Sequence, residues 1–268
     1  MVKIDMKRQI YTIMDEEFST LLDRTDKSFR KTDINYMLVG GVATQAHLAN
    51  YLTRIYSVPM IGLAQKLRVQ DCFRATDDVD MTVRIPDDID SANKVMGALN
   101  LIVGEGEHFS LTNDHVVGIA MTRRGHVKPK FQLTVDGVKD PEKEMAFNIY
   151  TKSNPSRDQL MKDFEVEQFD MFQDNAKELV LNYAPNVPVT LSVKSPEDLL
   201  ATKIVRGRPK DITDALSLVK YSRLANLSVN RDYVHHLICG ADEVAEQHRD
   251  SRLHDRWQAF TQLEKTIE

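Results

Sequence analysis

Two aspartates one residue apart, Asp78 and Asp80, stand in a stretch that alternates strictly. Val79, Met81, Val83 and Ile85 fall on one side, and Asp78, Asp80, Thr82 and Arg84 on the other. This alternation predicts a half-buried β-strand over 76–85. Residues two apart in a strand share a face at about 6.8 Å along the backbone, so the two carboxylates can converge on one hard divalent cation. Two carboxylates completed by substrate phosphates suit Mg²⁺, and Mn²⁺ accepts the same oxygen donors. A pair of such ions stabilises both the attacking and leaving oxygens of a phosphoryl or nucleotidyl transfer. The competing reading is the solvent face of an edge strand, where charge discourages unwanted pairing. Aspartate is depleted in strands, however.

Two further clusters bear on phosphate chemistry. Gly40-Gly41 closes the apolar run Tyr36-Met37-Leu38-Val39 and opens an apparent helix at Val42. Glycine lets a ligand approach the backbone closely, and helix N-terminal N–H groups favour phosphate; the alternative is an ordinary turn. Neither a P-loop nor a three-glycine dinucleotide fingerprint is present. The second cluster is Ser195-Pro196-Glu197-Asp198-Leu199-Leu200-Ala201-Thr202-Lys203-Ile204-Val205-Arg206-Gly207-Arg208-Pro209-Lys210-Asp211, followed by Asp214. Ser195 reads as an N-cap, Pro196 as the first helical residue and Asp198 as the partner in a capping box. Gly207 reads as a helix stop, and Pro209 starts the next helix. Lys203, Arg206, Arg208 and Lys210 can hold a triphosphate. They can equally be a solvated hairpin with Asp211 and Asp214 as salt-bridge partners.

The elements around these residues follow from periodicity. Ile10, Ile13, Met14, Phe18, Leu21 and Leu22 predict a first helix. Pro86 and Asp87-Asp88 open another that runs to about Leu99. Residues 53–73 fit no regular element. Three β-like pieces lie near Gly118–Thr122, Phe131–Val135 and Ala146–Tyr150. Ser156–Tyr183 has helical period, Val187–Val193 reads as a strand, and the chain is helical from Ser195 onward. The expected architecture is α/β: a mixed twisted sheet in an α/β domain over 1–194, then a helical C-terminal domain over 195–268.

Composition narrows the function classes. The 268 residues are 42% hydrophobic and 28% charged, with a formal net charge of −5. A general nucleic-acid coat is usually basic, and no apolar run reaches the roughly 18 residues of a membrane helix. The N-terminus shows no signal-peptide pattern. The two cysteines, Cys72 and Cys239, have neither metal-ligand nor disulfide-framework spacing. The expectation is a soluble, cytoplasmic globular protein that does not engage a membrane.

Taken together, Gly40-Gly41, Arg74-x-Thr76-x-Asp78-x-Asp80 and the Ser195–Asp214 hairpin resemble the nucleotidyltransferases of the DNA polymerase β-like superfamily, specifically the AbiEii-type toxin group. The resemblance spans residues 34–220 in order. It implies Asp78 and Asp80 as metal ligands, Gly40 and Gly41 against the nucleotide phosphates, and Thr76 shaping the pocket. Arg74 and Arg208 join the nucleotide-binding set, Lys203 contacts the triphosphate, and Asp211 is needed for activity. The implied reaction moves a nucleoside monophosphate from an NTP to an acceptor, tRNA or a small molecule, releasing pyrophosphate. Toxin-type relatives are held by an antitoxin protein. The third carboxylate of the superfamily falls first on Asp136 and second on Asp170, or is replaced by Asn148. Two other readings stay open: a catalytically inactive binding protein of the same fold regulated by a partner, and a two-metal phosphodiesterase or nuclease.

Other features are blander. Arg123–Lys130 reads as a charged hairpin loop or a nucleic-acid contact. The histidines show no zinc spacing, and Trp257 with Phe260 reads as core, dimer contact or partner groove.

Overall fold

The computed structural model describes residues 3–5, 10–12, 16–57, 78–86, 88–111, 130–135, 146–152, 158–184, 187–240 and 250–266. For some residues within these ranges, Asp78 among them, the description covers the backbone alone. Arg74, Thr76, Asp136, most of the 53–73 stretch, the Gly118–Thr122 piece and residues 123–129 lie outside the described residues.

Seven strands form one mixed sheet. In chain order they are β3 (Tyr36–Val39), β4 (Asp78–Val83), β5 (Glu107–Leu111), β6 (Lys130–Val135), β7 (Ala146–Tyr150), β8 (Lys177–Ala184) and β9 (Val187–Val193). A separate pair, β1 (Lys3–Asp5) and β2 (Ile10–Thr12), precedes them. The spatial order is β5-β6-β7-β4-β3-β9-β8. β4 runs antiparallel to β3 and parallel to β7, and β3 runs parallel to β9. The aspartate strand is therefore interior, hydrogen-bonded on both sides, which removes the edge-strand reading.

Strand alternation divides two cores. Tyr36, Leu38, Val79, Met81, Val83, Phe147, Ile149 and Val193 are buried with residues of α1 (Glu16–Lys31), α2 (Gly40–Ser57) and α3 (Ile89–Asn100). Phe29 and Tyr36 meet edge to face within this core, 5.4 Å between centroids. Met37 points the other way, into a second core with α4 (Gln159–Asp174), α5 (Pro196–Arg206), α6 (Pro209–Leu224), α7 (Arg231–Cys239) and α8 (Ser251–Glu264). Fully burying side chains such as Phe164, Leu200 and Phe260 contributes about 1.5–3 kcal/mol each. Helices and sheet are thus joined through that face as well as through Leu199, Leu218 and Tyr221, which enter the first core.

Local expectations diverge from the structure in five places. Ile10 belongs to β2, and the first helix starts at Glu16. α3 starts at Ile89, with Asp88 as N-cap accepting from Ser91 N at 2.7 Å; Pro86 lies ahead of it. The helical period over 156–183 covers two elements. α4 ends at Asp174, and Leu179 and Val180 lie in β8. Among the described residues β8 is an edge strand paired with β9, and Val180 is 65% exposed, so its apolar run does not follow burial on one face. β5 is a strand that the apolar pattern did not reveal. The capping box is half made: Ser195 Oγ accepts from Asp198 N at 3.1 Å, while the Asp198 carboxylate takes a hydrogen bond from Tyr233 Oη at 2.8 Å.

Candidate active-site cleft

The polar face of the inner strands forms one wall of a cleft of about 610 Å³, counted to its open mouth. Register brings its residues together. Asp80 faces Val39 on β3 and Asn148 on β7, and Thr82 faces Met37 and Tyr150. Leu38 pairs with Val193, so the next residue, Lys194, falls on the Val39 side. Met37, Val39, Gly40, Asp80, Thr82, Tyr150, Thr151 and Lys194 all line the cleft. The opposite wall is helical: Glu165, Phe169 and Phe172 at four- and three-residue steps on α4, and Leu199, Thr202, Lys203 and Arg206 on one stripe of α5.

Asp80 and Gly40 are sterically matched. Gly40 follows β3 and begins α2 with φ +68°, and a Cβ built there would lie 2.5 Å from Asp80 Oδ2. Tyr150 Oη donates to Asp80 Oδ1 at 3.3 Å. No acidic residue occupies the first turn of α2, so its N-terminal N–H groups stand beside the Asp80 carboxylate without a capping acid. Gly40→Ala is expected to cost about 1–3 kcal/mol of stability through backbone strain and to displace Asp80. Urea denaturation beside an activity assay checks this; an alanine variant as stable and active as wild type overturns the match.

Lys203 arrives from α5 almost wholly buried. Its Nζ donates to Asp214 Oδ2 at 2.6 Å and to Asp211 Oδ1 at 3.3 Å. Arg208 Nε donates to the second Asp211 oxygen at 2.5 Å. Burial pushes the Asp211 carboxyl up. The Arg208 hydrogen bond and the charges of Lys203, Arg206 and Arg208 outweigh it, so the carboxyl lies below its ordinary range. Both capping expectations hold in this hairpin. Gly207 takes φ +65° and donates to Lys203 O at 3.0 Å, and Pro209 occupies the first turn of α6. Arg208 is held on Asp211 and is not among the residues lining the cleft; Gly41 is buried behind Gly40. Arg206 pairs with Glu165 at 3.5 Å.

The cleft therefore collects Gly40, Asp80 and Lys203 from the expected set, with Asp211 directly behind Lys203. Asp78 opens β4 opposite Ala146, two residues before Asp80. Asp170 is elsewhere: it is exposed on α4 and ion-paired to Lys152. The position across the β4–β7 ladder from Asp80 holds the amide of Asn148. Among the described residues no three His, Cys, Asp or Glu side chains gather as a ready metal site. The Asp80 carboxylate, completed by oxygens from a substrate phosphate and a second carboxylate, nevertheless fits the donor chemistry Mg²⁺ takes.

Lys194 was not anticipated. It is 3% exposed, its Nζ lies 3.6 Å from the Phe172 ring centroid, and it donates to Thr202 Oγ1 at 2.6 Å. Burial brings its ammonium down to about 8. The available signal was position: a lysine following the buried alternation Val189, Leu191, Val193 and directly preceding the Ser195 cap.

His47 on α2 anchors the same junction, its Nε2 donating to Lys194 O at 2.8 Å. Burial lowers His47 to about 4, only partly offset by that hydrogen bond. Its folded value lies below the ordinary unfolded one, so the unfolded chain binds the extra proton between pH 6.5 and 4. Stability is expected to fall across that window by about 3 kcal/mol. Chemical denaturation of wild type and His47→Gln checks this: the variant lacks that part of the slope, and identical slopes would refute it.

No protein-family model matches the chain, and no curated protein does. Among solved structures, the solution structure of the antibiotic-resistance factor ANT(2'')-Ia is similar at 13% identity and TM-score 0.40, covering 94% of this chain and 100% of that one. The crystal structure of ANT(2'')-Ia in complex with adenylyl-2''-tobramycin is similar at 11% identity and TM-score 0.36, covering 78% and 95%. Both likenesses are distant, and the chemistry is read from the cleft's own residues. No helix among the described residues is long and apolar enough to cross a membrane.

Proposed function

We propose that the chain is a metal-dependent nucleotidyltransferase that moves a nucleoside monophosphate from an NTP to an acceptor and releases pyrophosphate. One observation carries this reading: Asp80, Gly40 and Lys203, from three separate elements, line a single cleft. Asp80 and Asp78 would hold Mg²⁺ or Mn²⁺, which supplies charge neutralisation to the phosphates. Gly40 leaves the backbone open beside Asp80, so that phosphate oxygens approach the N-terminus of α2. Lys203, aimed by Asp211 and Asp214, keeps its charge at a fixed point on the helical wall. A preset charge of this kind stabilises the negative charge that builds on the leaving pyrophosphate. Met37, Val39, Phe169 and Phe172 give the cleft apolar surface, which limits water beside the reacting phosphate.

The motif resemblance extends the proposal to an AbiEii-type enzyme of the cytoplasm, with tRNA as the first acceptor to try and a protein antitoxin as its regulator. Asn148 beside Asp80, in place of a third acid, supports the competing reading of a fold that binds nucleotide without turning it over. The deciding experiment incubates the chain with each α-labelled NTP, Mg²⁺ and either bulk tRNA or small hydroxylated acceptors, scoring label transfer and pyrophosphate release. Transfer establishes the enzyme. NTP binding without transfer to any acceptor favours the binding protein, and hydrolysis of nucleic acid without NTP consumption indicates a phosphodiesterase.

A further inference from the structure

The charges around the cleft are unequally matched. Arg206 has Glu165, and Lys203 has Asp211 and Asp214. Lys194 has no carboxylate within 4 Å among the described residues; its Nζ meets Thr202 Oγ1 and the Phe172 ring, and Glu165 and Asp198 attract it only at longer range, against the repulsion of Arg206 and Lys203. The Thr202 hydroxyl proton goes to Asp198 O at 2.6 Å, so Thr202 only accepts from Lys194. An ammonium has three N–H donors, and burying one with donors unfilled is costly. On the same cleft, Thr151 Oγ1 is buried and has no hydrogen-bond partner among the described residues.

We propose that Lys194 is a phosphate-binding residue of this cleft, completing its donors with oxygens of the nucleotide's triphosphate tail. This rests on the nucleotide reading above and adds a residue outside the matched motifs. Lys203 is already neutralised by two acids and contributes a fixed position; Lys194 contributes a positive charge that no carboxylate contacts directly among the described residues. A phosphate fits better than a carboxylate because it offers several oxygens to a compact point charge. The same chemistry is offered by a nucleic-acid acceptor's backbone phosphate, so the test uses both sources.

The full chain is titrated calorimetrically with tripolyphosphate and, separately, with a short single-stranded RNA. Lys194→Met is expected to weaken tripolyphosphate binding about tenfold or more, as for loss of a hydrogen bond to a charged group, while Lys194→Arg retains most of it. In transfer assays the same variant raises KM for NTP more than it lowers kcat. Loss confined to RNA binding overturns the assignment to the nucleotide tail, and unchanged binding of both overturns the site. Should the Lys194 variants not fold, Thr202→Val, which removes the hydrogen bond that Lys194 Nζ makes, replaces them: a changed tripolyphosphate affinity supports the site, and an affinity equal to wild type refutes it. Binding lost in Lys194→Met while wild type shows no transfer removes the enzyme and leaves the phosphate site. Transfer with Lys194-independent binding and KM removes the phosphate site alone.

Discussion

Asp80→Asn is expected to lower nucleotidyl transfer by about 10³-fold while leaving the fold intact, in line with removing a preorganised charge from a reacting phosphate. The carboxylate sits on an interior strand, between Val39 and Asn148 in the ladder, against the Gly40 backbone and within reach of Tyr150 Oη. The amide has the same shape and keeps an acceptor for Tyr150, so packing is preserved and only the charge is removed. Thermal melting beside the label-transfer assay separates the two effects. A melting temperature near wild type with transfer gone places Asp80 in the reaction; full transfer removes it and the proposed metal site with it. Asp78→Asn is the companion measurement, because the two carboxylates are offered as one donor set.

Lys203→Met is expected to be the most destabilising of the substitutions considered, by about 3–5 kcal/mol, because it removes the buried ammonium that two buried acids share. Asp211 is fully buried and Asp214 nearly so, and Arg208 also pairs with Asp211. The double substitution Lys203→Met, Asp214→Asn removes one of the two buried negative charges and is expected to recover part of the loss. The coupling between the two positions is the quantity to measure, by urea denaturation near pH 7. The sign with pH follows from Asp211: its folded value lies below the ordinary carboxylate value. Its contribution is therefore present above about pH 4 and disappears as the pH falls through the folded value. A single variant no less stable than wild type would show that Lys203 is not required to balance these acids.

The same pair of acids shows how far each reading of the Ser195–Asp214 segment reached. Salt-bridge partnership of Lys203 with Asp211 and Asp214 was one of the two sequence alternatives, and it is present. What differs is the setting: the turn at 207–210 is exposed, whereas Lys203, Asp211 and Asp214 are buried, so their partnership holds a cleft-lining residue in place instead of solubilising a surface.

Elements governed by near neighbours were legible in the chain. Ser195, Pro196, Gly207 and Pro209 act through capping and backbone preference within a few residues, and those helix limits stand as expected. Alternation in Val79–Val83 and Val187–Val193 likewise identifies strands, because the two-residue period belongs to the strand itself. The divided segment 156–183 marks the edge of that legibility: Leu179 and Val180 become strand because β9 offers them a ladder, which no local period encodes. Long-range pairing and packing alone decided that β4 is interior, that Asp80 lies against Gly40, and that the stripes of α4 and α5 close over it. The same packing buried Lys194 with no ion-pair partner within 4 Å among the described residues. A polar strand face looks alike in sequence whether water or a helix covers it. Only the covering element raises the electrostatic cost and turns that face into the wall of a cleft.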